Sequence, residues 1–161
     1  MLKSLLKPLK LDYINPYITD ENFPDNKKRG KVELIHFNEF LSTGEVLKML
    51  DDKGYRPATL HEMLVWAKDW KGEIVVALGS VWQSLNSGRS VGFLSSGGGE
   101  SWLSMSYYDG DWGVDCRFAA VKKDDALEDD LIKYFKSKKS LGEMNIRLRA
   151  ANLAYKFIKK I

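Results

Sequence analysis

Two stretches of the chain are almost unbroken in apolar residues: IVVAL at 74–78 and RFAAV at 117–121. Runs of this length predict buried central strands. Residues 31–37, KVELIHF, instead alternate in polarity and are rich in β-formers, which predicts a further strand. Helical signals follow. Ser42 and Glu45 have the spacing of a capping box, ahead of an apolar face of Val46, Leu47 and Leu50 that ends before Gly54. Thr59 and Glu62 repeat that spacing after Pro57, with Leu60, Met63, Leu64 and Ala67 as the apolar side. Leu2, Leu5, Leu6 and Leu9 also sit at helical spacing and predict a short segment packed on a core. Residues 12–30, with Pro16, Pro24 and several Asn and Asp, read as extended chain and turns.

The tail has its own pattern. Asp124, Asp125 and Glu128 precede Lys133, Lys136, Lys138 and Lys139, an order of charge that complements a helix dipole. Ser140 and Glu143 form a third capping-box spacing. Met144, Leu148, Ala151, Tyr155 and Ile158 then step as an amphipathic helix does.

Between the two apolar runs lies a segment of different chemistry. Residues 80–113 hold no Lys and are built from Ser, Gly, Asn, Asp and large aromatics: Trp82, Phe93, Trp102, Tyr107, Tyr108 and Trp112. Antibody paratopes combine the same ingredients, rigid aromatic area with adaptable small polar groups. The segment reads as a displayed binding surface bracketed by the most rigid part of the fold. Trp82 and Phe93 are expected to pack inward. Tyr107 and Tyr108 are adjacent, so in a strand one of them faces out. Gly97, Gly98 and Gly99 read as a tight turn.

Composition narrows the classes. A chain of 161 residues, 44% hydrophobic and 29% charged, is ordinary for one globular domain. A net charge of +3 is too mild for a nucleic-acid partner. No apolar run reaches the roughly 18 residues of a membrane span, and Lys3, Lys7, Lys10 and Pro8 break up any signal-peptide core. The localisation expected by default is cytoplasmic, with display at a surface or virion as the alternative. Cys116 is the only cysteine, which rules out an internal disulfide and reads as a buried, inert thiol at a strand start. His36 and His61 stand alone, and position 65 is Val, so no HExxH zinc pattern forms. Asp109, Asp111 and Asp115 alternate but lack the later Glu of an EF-hand. No catalytic group, metal or cofactor is assigned.

Three motifs then line up in order: GSVW at 79–82, SGRS at 87–90 and GDWGVDC at 110–116. Together they resemble the phage tropism-determinant-like variable proteins of diversity-generating retroelements, which have a C-type lectin-like fold. Upstream, GYRPATLHEMLVWA at 54–67 looks like the helix start of formylglycine-generating-enzyme-like members of that fold. The resemblance covers about residues 54–121. It implies a ligand-binding protein whose surface codons are rewritten at adenines. Such rewriting of AAC or AAT never yields Trp, Met, Lys, Gln or Glu. Trp82, Gln83, Glu100, Trp102, Met105 and Trp112 are therefore poor candidates for variation. Ser84, Leu85, Asn86, Ser101, Leu103, Ser104, Ser106, Tyr107, Tyr108, Asp109 and Asp111 are the ligand-contact candidates, and Trp82, Arg89, Trp102 and Trp112 the scaffold. Two departures stand out. About forty residues follow the segment that ends the chain in known members, and neither the cysteine pair of formylglycine generation nor a calcium–sugar triplet is present.

The expected fold is α+β and C-type lectin-like, with two helices on a small, mostly antiparallel sheet. Residues 1–123 would form the ligand-binding domain, with its variable-type segment at about 80–116. Residues 124–161 would form a helical extension packed on it. A non-enzymatic protein that binds protein or peptide ligands is the leading expectation, with oligomeric state left open. A fixed lectin-like domain and a formylglycine-type enzyme using Cys116 are the alternatives. A third is an adaptor whose basic tail (Arg147, Arg149, Lys156, Lys159, Lys160) meets a membrane or nucleic acid.

Overall fold

A computed structural model describes residues 1–85 and 88–123. Among the described residues the fold is mixed α+β, with three short helices around a core that is mostly sheet. Helix α1 (Leu2–Leu6) runs into a 3-10 turn and then strand β1 (Tyr13–Ile14). Strands β2 (Val32–His36) and β3 (Leu41–Ser42) precede helix α2 (Thr43–Asp52), strand β4 (Tyr55–Pro57) and helix α3 (Leu60–Trp66). A 3-10 turn (Ala67–Asp69) and six strands follow: β5 (Val75–Val76), β6 (Trp82–Ser84), β7 (Gly88–Gly97), β8 (Glu100–Tyr107), β9 (Asp111–Trp112) and β10 (Arg117–Lys122). The main sheet has the order β1-β8-β7-β5-β10-β2, with β4 added to β10 and β6 to β7. β3 and β9 form a separate two-stranded ribbon. Pairing is antiparallel except for β1 with β8 and β5 with β10. The expected mostly antiparallel sheet is thus present, but at eight strands it is not small.

Both helix starts follow from local chemistry. The Ser42 and Thr59 side chains each accept the backbone N–H three residues on, and Glu45 and Glu62 reach back to the cap N–H groups. Orphan N–H groups at each helix start are satisfied reciprocally by this arrangement.

The apolar runs are buried on both faces because helices cover both faces. Val75 and Ala77 of the first run, with Ala119 and Val121 of the second, join a core built with α1, α3, Leu94 and Leu103. Val76, Leu78, Phe118 and Ala120 point the other way, into a second core built with Val46 and Leu50 of α2, Leu41, Val91 and Trp112. Successive strand residues face opposite sides, so a strand with no solvent face has no polar position to show. Leu2, with Leu5, Leu6 and Leu9, packs on the first core as the helical spacing predicts.

Residues 80–113, the displayed segment, are largely built into the sheet itself. Most of them form β7 and β8, the two longest strands, paired from Ser90 with Tyr107 to Gly97 with Glu100. Gly98 and Gly99 close this hairpin at φ of +60° and +86°, the two left-handed positions of a type I′ turn. Gly92 lets α3 approach: a Cβ there would lie 2.8 Å from Cδ1 of Leu60.

Residues 124–161 and positions 86 and 87 lie outside the described residues. The expected helical extension, its capping pair Ser140 and Glu143, and the contact candidate Asn86 fall there.

Candidate functional site

The Ser-rich hairpin builds an open groove of about 830 Å³ at one end of the sheet. Its floor is Ser90 of β7 with Met105, Ser106 and Tyr107 of β8. One wall is β6 with the residue after it: Trp82, Gln83, Ser84 and Leu85. The other comes from far away in sequence: Asn15, Tyr17 and Asn22. Tyr17 stacks on Trp82 with ring centroids 5.5 Å apart and planes 20° apart, which joins the two walls.

The distant wall is held by the open edge of β8. The Asp12 N–H donates to Ser101 O at 2.8 Å, and the Asn15 N–H donates to Leu103 O at 2.9 Å. Oδ2 of Asp12 accepts both the N–H and the hydroxyl of Ser101, at 2.7 and 2.9 Å. Those bonds hold the Asp12 carboxyl below the usual carboxylate range. Beyond Pro16, the Asn15 side chain accepts the Tyr17 N–H at 3.0 Å, an Asx turn that sets Tyr17 facing β6.

The near wall is positioned by GSVW. The Gly79 N–H donates to Ala58 O at 2.9 Å, and a Cβ on Gly79 would stand 2.5 Å from that same backbone oxygen. Ser80 Oγ accepts the Leu60 N–H at 2.9 Å, which adds a second acceptor at the start of α3. Gly79→Ala therefore forces backbone apart and is expected to destabilise the fold by about 1–3 kcal/mol. Urea midpoints at unchanged slope measure it.

A clasp lies beyond the groove, where β8 ends. The Trp112 indole N–H donates to Thr43 Oγ1 at 2.8 Å, and the Thr43 hydroxyl donates to Tyr108 O. The Arg89 guanidinium lies 4.6 Å from the centroid of the Tyr108 ring and forms a two-point ion pair with Asp109. Trp112 also meets Phe118 edge-on at 6.1 Å. This chain of contacts runs from the start of α2 to the turn after Tyr107.

The expected contact residues divide accordingly. Ser84, Leu85, Ser106 and Tyr107 line the groove, with Leu85 and Tyr107 strongly exposed. Leu103 is a correction: it is fully buried in the first core beside Leu94 and touches no solvent. Ser101 serves to pin Asp12, and Ser104 is half-buried opposite Phe93. Tyr108 packs on the second core, the inward partner of outward Tyr107. Asp109 is paired with Arg89, and Asp111 sits in the β9 ribbon opposite Ser42. Of the scaffold set, Trp112 is buried, Trp102 is half-buried and Arg89 belongs to the clasp. Trp82 packs partly against the first core, as expected, and also lines the groove. Asn15, Tyr17 and Asn22 were not in the candidate set. The one sequence signal for them is an aromatic residue inside a polar, Pro-containing stretch.

Groups with catalytic potential lie elsewhere. Burial raises the Cys116 thiol above its ordinary value, the opposite of an activated nucleophile. His36 shares a 2.7 Å hydrogen bond with Val114 O. His61 is buried, its Nε2 has no hydrogen-bond partner among the described residues, and desolvation pushes its pKa down. Among the described residues no three His, Cys, Asp or Glu side chains come close enough to hold a metal ion, and no helix is long and apolar enough to cross a membrane. No protein-family model, curated protein or solved structure matches the chain.

Proposed function

We propose that the chain is a ligand-binding domain of C-type lectin-like architecture, a variable protein of a diversity-generating retroelement that recognises protein ligands without catalysis. The observation that carries this reading is the groove itself. Trp82, Ser84, Leu85, Ser106 and Tyr107, singled out by composition and motif, converge on one concave surface of a size typical for ligand sites, about 300–1,000 Å³. Support for the lectin-like architecture comes from the capped helix at Thr59 followed by GSVW, the order that the resemblance implies.

The groove also sorts by coding logic. Trp82, Gln83 and Met105 are residues that adenine rewriting of AAC or AAT never produces, whereas Ser84, Leu85, Ser106 and Tyr107 are open to it. On this reading a fixed set of side chains carries a varied rim. Independent copies of the gene test it. Variation is expected to concentrate at Ser84, Leu85, Ser106 and Tyr107 and to spare Trp82, Gln83, Leu103, Met105 and Trp112. A nearby second copy of the 80–116 coding segment, differing mainly at adenines, should accompany a reverse transcriptase gene. Copies that vary as much in the buried core as at the rim would sink the proposal.

A further inference from the structure

We infer that the groove seats an uncharged, extended stretch of a partner protein, gripped through its backbone and apolar side chains without ion pairs. The inference rests on reading the groove as the binding site. None of the eleven side chains lining the groove carries a charge, in a chain of which 29% of residues are charged. Arg89 is paired in register with Gln83 on the neighbouring strand, but its guanidinium is engaged with Asp109 and the Tyr108 ring. A charged ligand group brought against this lining would lose hydration and find no counter-charge, which is strongly unfavourable.

What the lining offers fits a peptide instead. The Asn15 side-chain carbonyl is taken by the Tyr17 N–H, which leaves its NH₂ as a donor. Asn22 donates its NH₂ to Tyr17 O at 2.8 Å, and Gln83 donates its NH₂ to Ser84 O at 3.1 Å, which leaves both side-chain carbonyls as acceptors. An amide donor on one wall and amide acceptors on both complement the N–H and C=O groups of an extended backbone. Between them lie Met105, whose flexible side chain adapts to varied partners, and the ring of Tyr107. Leu85 stands at the rim, wholly in solvent, an apolar side chain whose burial awaits a partner.

The test uses a random peptide library displayed on phage, selected against the full chain, with selected peptides then synthesised and titrated calorimetrically. Expected are peptides whose shared core is uncharged and whose affinity changes less than about twofold between roughly 0.05 and 0.5 M NaCl. Tyr107→Ser and Leu85→Ser, both at exposed side chains that leave the fold intact, should each weaken binding by about tenfold. Groove-dependent peptides that share a charged residue and fade in salt would overturn the uncharged ligand while keeping the groove as a binding site. Tyr107-dependent binding to neutral oligosaccharides on a glycan array, with no such dependence for peptides, would overturn the protein partner. Peptides indifferent to both substitutions would overturn the groove as the binding site.

Discussion

Trp112→Ala is expected to destabilise the fold by about 3–5 kcal/mol, the range for deleting a large buried aromatic side chain. The indole is 5% exposed and packs in the second core against Phe118. Its loss opens a cavity between the β3–β9 ribbon and the Phe118 side of the main sheet. It also removes the N–H donor to Thr43 Oγ1, whose hydroxyl holds the backbone after Tyr107. Trp112→Phe separates the two effects. It keeps most of the apolar volume and drops the hydrogen bond, so a smaller loss of about 1–2 kcal/mol is expected. Urea unfolding at unchanged slope gives both numbers. Leu85→Ala is the contrast: at a fully exposed side chain the change should stay within about 0.5 kcal/mol. Near-equal effects of Trp112→Ala and Leu85→Ala would mean that Trp112 does not organise this end of the sheet.

The division between what the sequence disclosed and what it concealed has a physical basis. Both capping boxes were legible because a cap joins residues three apart and needs nothing else of the fold. The central strands were legible because unbroken apolar runs have few other places to go. The hairpin was not. Ser and Gly are poor strand formers, yet here Gly92 and Ser95 occupy strand interiors, Gly92 close against Leu60 of α3 and Ser95 buried. Leu103 was misplaced for a different reason. The codon logic that admits Leu at position 103 is blind to strand faces, although in ESWLSMSY Leu103, Met105 and Tyr107 form the more apolar alternate set. The pairing of Leu103 with Leu94 sets it in the first core. The far wall was hidden by distance along the chain. Residues 12–15 meet 101–103 across nearly ninety positions through two backbone bonds and the Asp12 carboxylate on Ser101, a pairing that no local spacing in the sequence announces.

Among the described residues, Glu62 should be the most sensitive ionisable group. Its carboxylate is 1% exposed and meets the Arg56 guanidinium at two points, 2.9 and 2.7 Å. It also accepts the Thr59 N–H at 2.9 Å as half of the α3 capping box. Burial alone would raise its pKa. The bonds from Arg56 and Thr59 together outweigh that and hold the carboxyl below its ordinary value of 4.5. Arg56→Ala strips a buried carboxylate of its hydrogen-bonded counter-charge and is expected to cost about 3–5 kcal/mol. Glu62→Gln keeps an acceptor for the Thr59 N–H and drops the charge, so its cost should be smaller but still clear. The sign of the pH dependence follows from the lowered value. The stabilisation by Glu62 is fully present above the unfolded value near 4.5 and is lost as pH falls through the lower folded value. Other carboxylates with lowered values, among them Asp12 and Asp20, add their own acid loss to the wild-type curve. The informative quantity is therefore the difference between wild type and Glu62→Gln. That difference in urea midpoint should be constant above about pH 5 and shrink as the pH falls below 4.5. A gap that stayed constant down to the acid transition would show that the Glu62 charge contributes nothing, and that the site needs only its hydrogen bonds.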